Sequence, residues 1–473
     1  MRFINNAAIA HLVRWSRALV WLTVIGLALP GLRAQSTDSV PLPEELFPQL
    51  QPILIKALSQ STAMLTASSA ITQAEASQTI ANSMLLPRLD TSTFYSSTTS
   101  IVALNTDIIS RANGLFYSVA LSQPVFQWGT YKAQVDSAKI GVLIAEKNYA
   151  EAYRLLALSI RSQFFGLIIK KKVLRNAEFA LKLTTADLRL EEEKLRNGTS
   201  APGNLIGPQM SVEEARLSRD RVAADLDQAR RLFGRLTGAE IMQESFIPDE
   251  LVLAGQYYST PFAEPMLAKF AGDGVEHTFQ AQIYRDYVRQ ADLTYKVVKY
   301  RLYPKFSLSA LYSQQSITNA AQDYVAQVAV NTQAVSLMAV WNIFDGFATK
   351  GAKISALTSK RTYERQLENH LLISLEQARD LERALAFSAR AMQLADTRRD
   401  LQWSAVELGN QDLARGEGSQ RVLEARTQAF YQSELGAFVA RADFLTQWAT
   451  FISSLNRDPA LKNLPARFSS HAQ

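Results

Sequence analysis

Two stretches of the chain carry a helical rhythm over an unusual length. Tyr131, Val135, Ala138, Val142, Ala145, Tyr149 and Ala152 step by three and four residues. Ile354, Leu357, Leu367, Leu371, Leu375 and Ala378 do much the same, with Arg361 and Glu364 as polar interruptions. No proline falls between Pro124 and Pro202 or between Pro304 and Pro459, and Ala352 to Leu408 holds neither proline nor glycine. The pattern predicts helices over about 130–196 and about 347–414, on the order of 80–100 Å long at 1.5 Å per residue. Small residues dilute leucine in both seams, which suits broad, sheet-like helix packing better than a two-stranded zipper.

A period of two precedes each long helix. Leu115, Tyr117, Val119 and Leu121 alternate with Ser118, Ala120 and Ser122, and Val335, Leu337, Ala339 and Trp341 alternate with Ala334, Ser336, Met338 and Asn342. Phe306, Leu308, Ala310 and Tyr312 alternate with Ser307, Ser309, Leu311 and Ser313, while the matching face at Leu89, Thr91, Thr93 and Tyr95 is more polar. These runs predict strands over about 88–98, 115–126, 305–314 and 333–344, followed by second helices over about 209–236 and 419–456.

The two halves say nearly the same thing. LLPRLDTSTFYSS (Leu85–Ser97) returns as LYPKFSLSALYSQ (Leu302–Gln314), and Phe126, Lys132 and Gly198 return as Phe344, Lys350 and Gly416, always 217 or 218 residues apart. A constant offset indicates two tandem structural repeats. The expected organisation is a signal peptide over 1–34, a first repeat over 35–245, a linker over 246–264, a second repeat over 265–457 and a C-terminal tail over 458–473.

Composition narrows the chemistry. The 473 residues contain no cysteine and four histidines, scattered as His11, His277, His370 and His471. Disulfides, thiolate chemistry and Cys-based metal sites are thereby excluded, and neither a metal centre nor a cofactor is expected. Arg2, Arg14 and Arg17 precede the apolar run Ala18–Leu29, which Pro30-Gly31 breaks. This is the layout of an export signal, too short to span a bilayer as a helix. Without residues 1–34 the formal charge of +6 loses four arginines, so the basic balance does not point to nucleic acid. Lys170-Lys171-Lys172 interrupts an apolar run and is expected to be a solvated face with its stems lying over neighbours.

An exported chain without a long apolar helix enters a membrane by strands. Strands of about 10 residues, apolar on one face and small or polar on the other, match membrane-barrel strands. Four cannot close a barrel, and an open sheet in lipid leaves unpaired edges costing several kcal/mol per group. Three copies would supply twelve strands under closed symmetry. The predicted fold is thus an α+β membrane protein, a trimeric 12-stranded transmembrane β-barrel with four strands per chain, whose long helices extend the tube away from the membrane.

Several motifs carry a resemblance. They are Leu86-Pro87-Arg88-Leu89 and Tyr303-Pro304-Lys305-Phe306 at strand starts, Gln123-Pro124-Val125-Phe126 at a strand end, Trp341 to Gly346, and Arg415-Gly416 followed by Val422-Leu423-Glu424-Ala425. Together, in order and over roughly residues 44–457, the sequence resembles the outer membrane efflux proteins, the TolC family. The resemblance implies a homotrimer in the outer membrane of a Gram-negative-type cell, in contact with outer-membrane lipid and continued by a long periplasmic α-helical barrel. It implies docking to a periplasmic adaptor and an inner-membrane transporter, in a tripartite efflux or type I secretion system. The chain would be a passive exit duct and not an enzyme. Adaptor-docking tips would fall at Arg196, Asn197, Gly198 and Thr199 and at Arg415, Gly416 and Glu417. The periplasmic mouth would lie at Asn204, Arg421 and Glu424. The family often carries acids at the mouth, and this chain departs from that with Asn204 and Arg421; an Arg421–Glu424 pair at i, i+3 is expected. Pro202, Gly203, Gly207 and Pro208 predict a loosened start to the helix after the first tip. Trp128 and Trp341 would be membrane-interface aromatics. A periplasmic or surface coiled-coil protein without a pore is the alternative; a soluble enzyme fits worst, since no nucleophile–base pair, phosphate loop or metal cluster appears.

Overall fold

The computed structural model describes residues 40–102, 108–253, 255–321 and 324–469; the expected signal peptide lies outside them. Element order is α1 (Pro43–Leu46), α2 (Leu50–Gln60), α3 (Thr62–Ser83), β1 (Arg88–Val102), β2 (Ile108–Phe126), α4 (Thr130–Arg196) and α5 (Ile206–Thr237). Then follow α6 (Ala263–Lys269), α7 (Phe279–Lys299), β3 (Lys305–Ala321), β4 (Tyr324–Val340), α8 (Ala348–Ala414), α9 (Gln420–Ser454) and α10 (Ala466–Ser469). The order α3–β1–β2–α4–α5 recurs as α7–β3–β4–α8–α9, and α4 and α8 each have 67 residues, about 100 Å of helix.

Both long helices are launched and stopped by the same backbone device. Trp128 and Gly129 precede α4 with φ of 57° and 72°, and Gly346 and Phe347 precede α8 with φ of 62° and 67°. Two successive left-handed residues turn an extended strand sharply into a helix. Asp345 Oδ2 then accepts from the backbone N–H and the hydroxyl of Thr349 at 2.9 and 2.5 Å, satisfying an orphan donor of the first turn of α8.

The four strands form one antiparallel sheet in the order β1-β2-β3-β4. Its register aligns the apolar faces of all four. Leu89 opposes Leu121, Leu121 opposes Ala310 and Ala310 opposes Val335. One step along, Thr91, Val119, Tyr312 and Gln333 form the next row. The other face carries Ser92, Ser118, Ser313 and Thr332 in one row and Ser122, Ser309 and Ser336 in another. Ser92 meets Ser118, and Ser309 meets Ser336, at 2.8 Å between hydroxyls. The strands run 15 to 19 residues, longer than the roughly ten the alternation marks, and β4 ends at Val340 rather than 344. Ladder pairing is a backbone property and continues through Ser97, Thr98 and Thr99, where side-chain alternation has faded. A bulge between Pro124 and Phe126 lets proline sit in the ladder and resets Phe126 opposite Phe306.

The core lies where α4 packs against α3, α5, α7 and α9. Tyr153, Ile160, Phe164, Phe165, Phe279, Phe444 and Phe451 are fully buried there. The apolar stretch of α4 is long and greasy enough to cross a membrane by composition alone, yet half of it is buried against these neighbours.

Candidate functional site

Two regions hold the residues singled out in the sequence: the turns between paired helices, and the corners where strands become helices. At the first turn, Asn197, Gly198 and Thr199 donate their backbone N–H groups to the carbonyls of Glu193, Leu195 and Lys194 at 2.9, 3.0 and 2.8 Å. At the second, Arg415, Gly416 and Glu417 donate to Gln411, Leu413 and Asp412 at 3.1, 3.0 and 3.0 Å. Gly198 and Gly416 have φ of 73° and 76°, the left-handed C′ position where glycine carries no steric cost. Arg196, Asn197, Gly198, Thr199, Arg415, Gly416 and Glu417 are all exposed, and a Cβ on either glycine would meet no atom within 4 Å. The tips therefore present bare, self-satisfied backbone.

The two turns are closed differently on the far side. After the second, Ser419 caps α9 by accepting from the N–H of Val422 at 3.4 Å. After the first, Pro202–Leu205 forms a 3₁₀ turn and α5 begins only at Ile206, with Gly207 and Pro208 in its opening turn, where proline's missing N–H costs nothing. Asn204 lies in that 3₁₀ turn, exposed, and donates to Ser200 Oγ at 3.1 Å; Ser200 donates in turn to Glu191 at 2.5 Å. The bonds from Ser200 and Lys194 hold the Glu191 carboxyl below its ordinary range.

The structure corrects the expected Arg421–Glu424 pair. Arg421 instead approaches Asp187 near the end of α4, at 3.9 Å, while Glu424 accepts from Gln420 Nε2 at 3.1 Å. Gln420 is one full turn from Glu424 and claims its carboxylate, leaving Arg421 to reach across to the neighbouring helix. The lysine run is also corrected. Lys171 Nζ donates to Ile247 O at 2.7 Å and pairs with Asp249 at 2.8 Å. Lys172 is buried, 4.5 Å from the Phe438 ring centre and 3.4 Å from Glu434. Helical rotation turns these two lysines inward toward the 244–249 segment and α9, so they are anchors, not a solvated face.

At the corners, both tryptophans use the indole N–H to tie a strand end to the loop before β3. Trp128 donates to Pro304 O at 2.7 Å and Trp341 to Leu302 O at 3.0 Å. Trp128 packs edge-on against Phe126 and Tyr303, both 4.9 Å away, and parallel to Tyr300 at 6.4 Å. Trp341, Ile343, Phe344 and Phe347 are exposed around the second corner.

Sequence reasoning missed the buried ion pairs that brace the helices. Arg161, only 1% exposed, donates to both Glu44 and Asp458. Lys147 pairs with Asp286, and Arg441 with Asp396 at 2.6 Å. Each was marked by a charged residue inside an apolar stripe, as Arg161 stands between Ile160 and Phe164; which charge it meets depends on packing between distant segments. Among the described residues no group of three potential metal ligands occurs.

Residues 53–239 match the family model described as outer membrane efflux protein. No curated protein sequence matches significantly. Among solved structures, the Campylobacter jejuni CmeC outer membrane channel is similar at 16% identity and a TM-score of 0.67, over 89% of this chain and 90% of that one. The outer membrane protein VceC of Vibrio cholerae is similar at 15% identity and 0.61, over 86% and 96%. The open state of the Neisseria gonorrhoeae MtrE outer membrane channel is similar at 16% and 0.64, over 86% and 89%. Residues 53–239 thus carry the pattern of the outer membrane efflux proteins, and the chain as a whole shares the fold of these outer membrane channels.

Proposed function

We propose that three copies of this chain close a 12-stranded barrel in the outer membrane and continue it as a helical tunnel, forming the passive exit duct of a tripartite efflux or type I secretion system. The observation that carries this reading is the sheet. One face carries the unbroken apolar row Leu89, Leu121, Ala310 and Val335 across β1 to β4, the other face is rich in serine, and among the described residues the two outer edges have no partner strand. In hydrocarbon each unpaired edge group costs several kcal/mol, which pairing of β1 with the β4 of another copy removes. The serine face then lines water.

The recurrence of element order, with matching glycines at both tips and left-handed corners before both long helices, supports an origin in two tandem repeats. The exposed turns at Gly198 and Gly416 suit close approach by helices of a periplasmic adaptor, which in turn meets an inner-membrane pump. Asn204, Arg421 and Glu424 border the mouth, and Trp128 and Trp341 mark the membrane boundary. No catalytic step is assigned to the chain.

Outer-membrane fractionation, gel mobility without heating and planar-bilayer recording test the assembly. The expected result is an outer-membrane species that migrates as a trimer until heated and conducts ions. A monomer in mild detergent that is silent in bilayers would overturn the duct and favour a coiled-coil protein without a pore.

A further inference from the structure

The exposed stripe of α7 changes character along its length. Arg285 pairs with Glu276, Arg289 with Asp286 at 3.2 Å, and Asp292 with Lys360 at 2.8 Å. The next two residues of the stripe, Lys296 and Lys299, are exposed, and neither has a carboxylate within 4.0 Å among the described residues. Pairing within the protein thus ceases over the last turn and a half before the sheet. Lys299 Nζ lies 5.4 Å from the centre of the Tyr300 ring, and Tyr300 in turn packs against Trp128 and Tyr303. This aromatic cluster is continuous with Phe126 and Phe306, at the lower end of the apolar face of the sheet. Lys132 and Lys350, in the first turns of α4 and α8, are likewise exposed and have no ion pair among the described residues.

We propose that Lys296 and Lys299, set beside the Trp128–Tyr300 platform, bind the phosphate-bearing headgroups of anionic phospholipids in the periplasmic leaflet. The proposal rests on the barrel reading, which puts the apolar face in lipid and this cluster at headgroup depth. Lys299 holds its ammonium over the Tyr300 ring, and Lys296, one turn earlier on α7, stands at the same face, so both reach phosphates at headgroup depth. A lysine ammonium complements an anionic headgroup, and beside an anionic lipid surface each lysine gains about fivefold in affinity.

Quenching of tryptophan fluorescence by brominated lipids measures this directly. Trp128 and Trp341 lie at the corners, whereas Trp403 and Trp448 lie far along α8 and α9 and supply an unquenched background. The protein without the expected signal peptide, which would add Trp15 and Trp21 to the signal, is reconstituted with dibrominated phosphatidylglycerol or dibrominated phosphatidylcholine. The expected result is a phosphatidylglycerol preference of about fivefold or more, lost in Lys296→Gln/Lys299→Gln and kept in Lys296→Arg/Lys299→Arg. Equal quenching by both lipids, or an unchanged preference in the glutamine variant, overturns the headgroup site. If the glutamine variant leaves lipid preference unchanged and shifts ion selectivity of the channel, the lysines line the water path and the proposal is overturned. Quenching by neither lipid overturns the barrel reading itself.

Discussion

Arg161 and Asp458 are 297 residues apart in sequence and joined by two hydrogen bonds of 2.6 and 2.9 Å in the buried core. Glu44 holds the other side of the same guanidinium at 3.0 Å through Nε. One side chain in the middle of α4 therefore fastens the segments before α2 and after α9. Burial alone would lower the Arg161 pKa, but hydrogen bonds and charge from Asp458 and Glu44 outweigh it and raise it overall, so the group is charged at every working pH.

Removing one partner leaves the other charge buried and unpaired, which costs about 3–5 kcal/mol. Arg161→Met strands Asp458 and Glu44 and is expected to destabilise by about that amount. Glu44, nearer the surface, matters less: its side chain is 12% exposed against 0% for Asp458. Thermal unfolding of the detergent-solubilised protein is expected to rank Arg161→Met and Asp458→Ala well below Glu44→Ala. Equal midpoints for all three would show that solvent reaches the cluster.

The periodic elements were legible because burial repeats along them. Tyr149, Val142 and Val135 are buried at helical spacing, and the alternating Leu115–Leu121 and Val335–Ala339 faces fall on one side of the sheet. The tips were legible for a backbone reason: Gly198 and Gly416 sit at left-handed positions that few residues but glycine adopt freely. Long-range partners were not legible. Lys172 looks the same in sequence whether it faces water or Phe438, and Arg421 looks the same whether its acid is Glu424 or Asp187. Those choices are made by rotation and contact between helices, on which local pattern is silent.

Gly238 and Gly198 share a left-handed backbone, with φ of 69° and 73°, but differ in surroundings. A Cβ on Gly238 would stand 2.1 Å from the carbonyl oxygen of Gln60, whereas one on Gly198 would meet nothing within 4 Å. Gly198→Ala is expected to cost only the backbone strain, about 1–2 kcal/mol. Gly238→Ala must also push α2 away from the end of α5, and unfolding midpoints are expected to fall clearly further. Equal losses would mean that α2 moves aside freely.

His370 on α8 sits between helices, 3.2 Å from Ser374 Oγ and 3.5 Å from Thr278 Oγ1, with the Tyr284 ring centre 5.7 Å away. Glu151 and Arg154 of α4 face the same polar cavity of about 130 Å³. Desolvation lowers its pKa, partly opposed by the charge of Glu151. The folded state therefore favours the neutral ring, and below the ordinary value of about 6.5 the unfolded chain binds more protons. This contribution to stability is complete above that pH and is lost as pH falls through it toward the folded value. Between pH 7.5 and 5.5 the wild-type midpoint is expected to fall further than that of His370→Gln. Parallel curves would show that the ring titrates freely in the folded state.

At the proposed periplasmic mouth, Arg421 and Asp187 are both largely open to water, with side chains 77% and 45% exposed. An exposed pair at 3.9 Å is worth at most about 1 kcal/mol, so it neither locks the helices nor hides the cation. In the proposed trimer the three Arg421 groups ring the opening, and at about 10 Å separation they repel by ~0.4–1.7 kcal/mol per pair. A multivalent cation approaching from the periplasm meets that positive field. Divalent or trivalent cations added on that side of a planar bilayer are therefore expected to block the native channel weakly. Arg421→Asp reverses three charges next to Asp187 and creates an acidic ring, and block by the same cations is expected to tighten at least tenfold. Strong block of the native channel, with no further change in Arg421→Asp, would place the cation site elsewhere along the tunnel and remove Arg421 from the mouth.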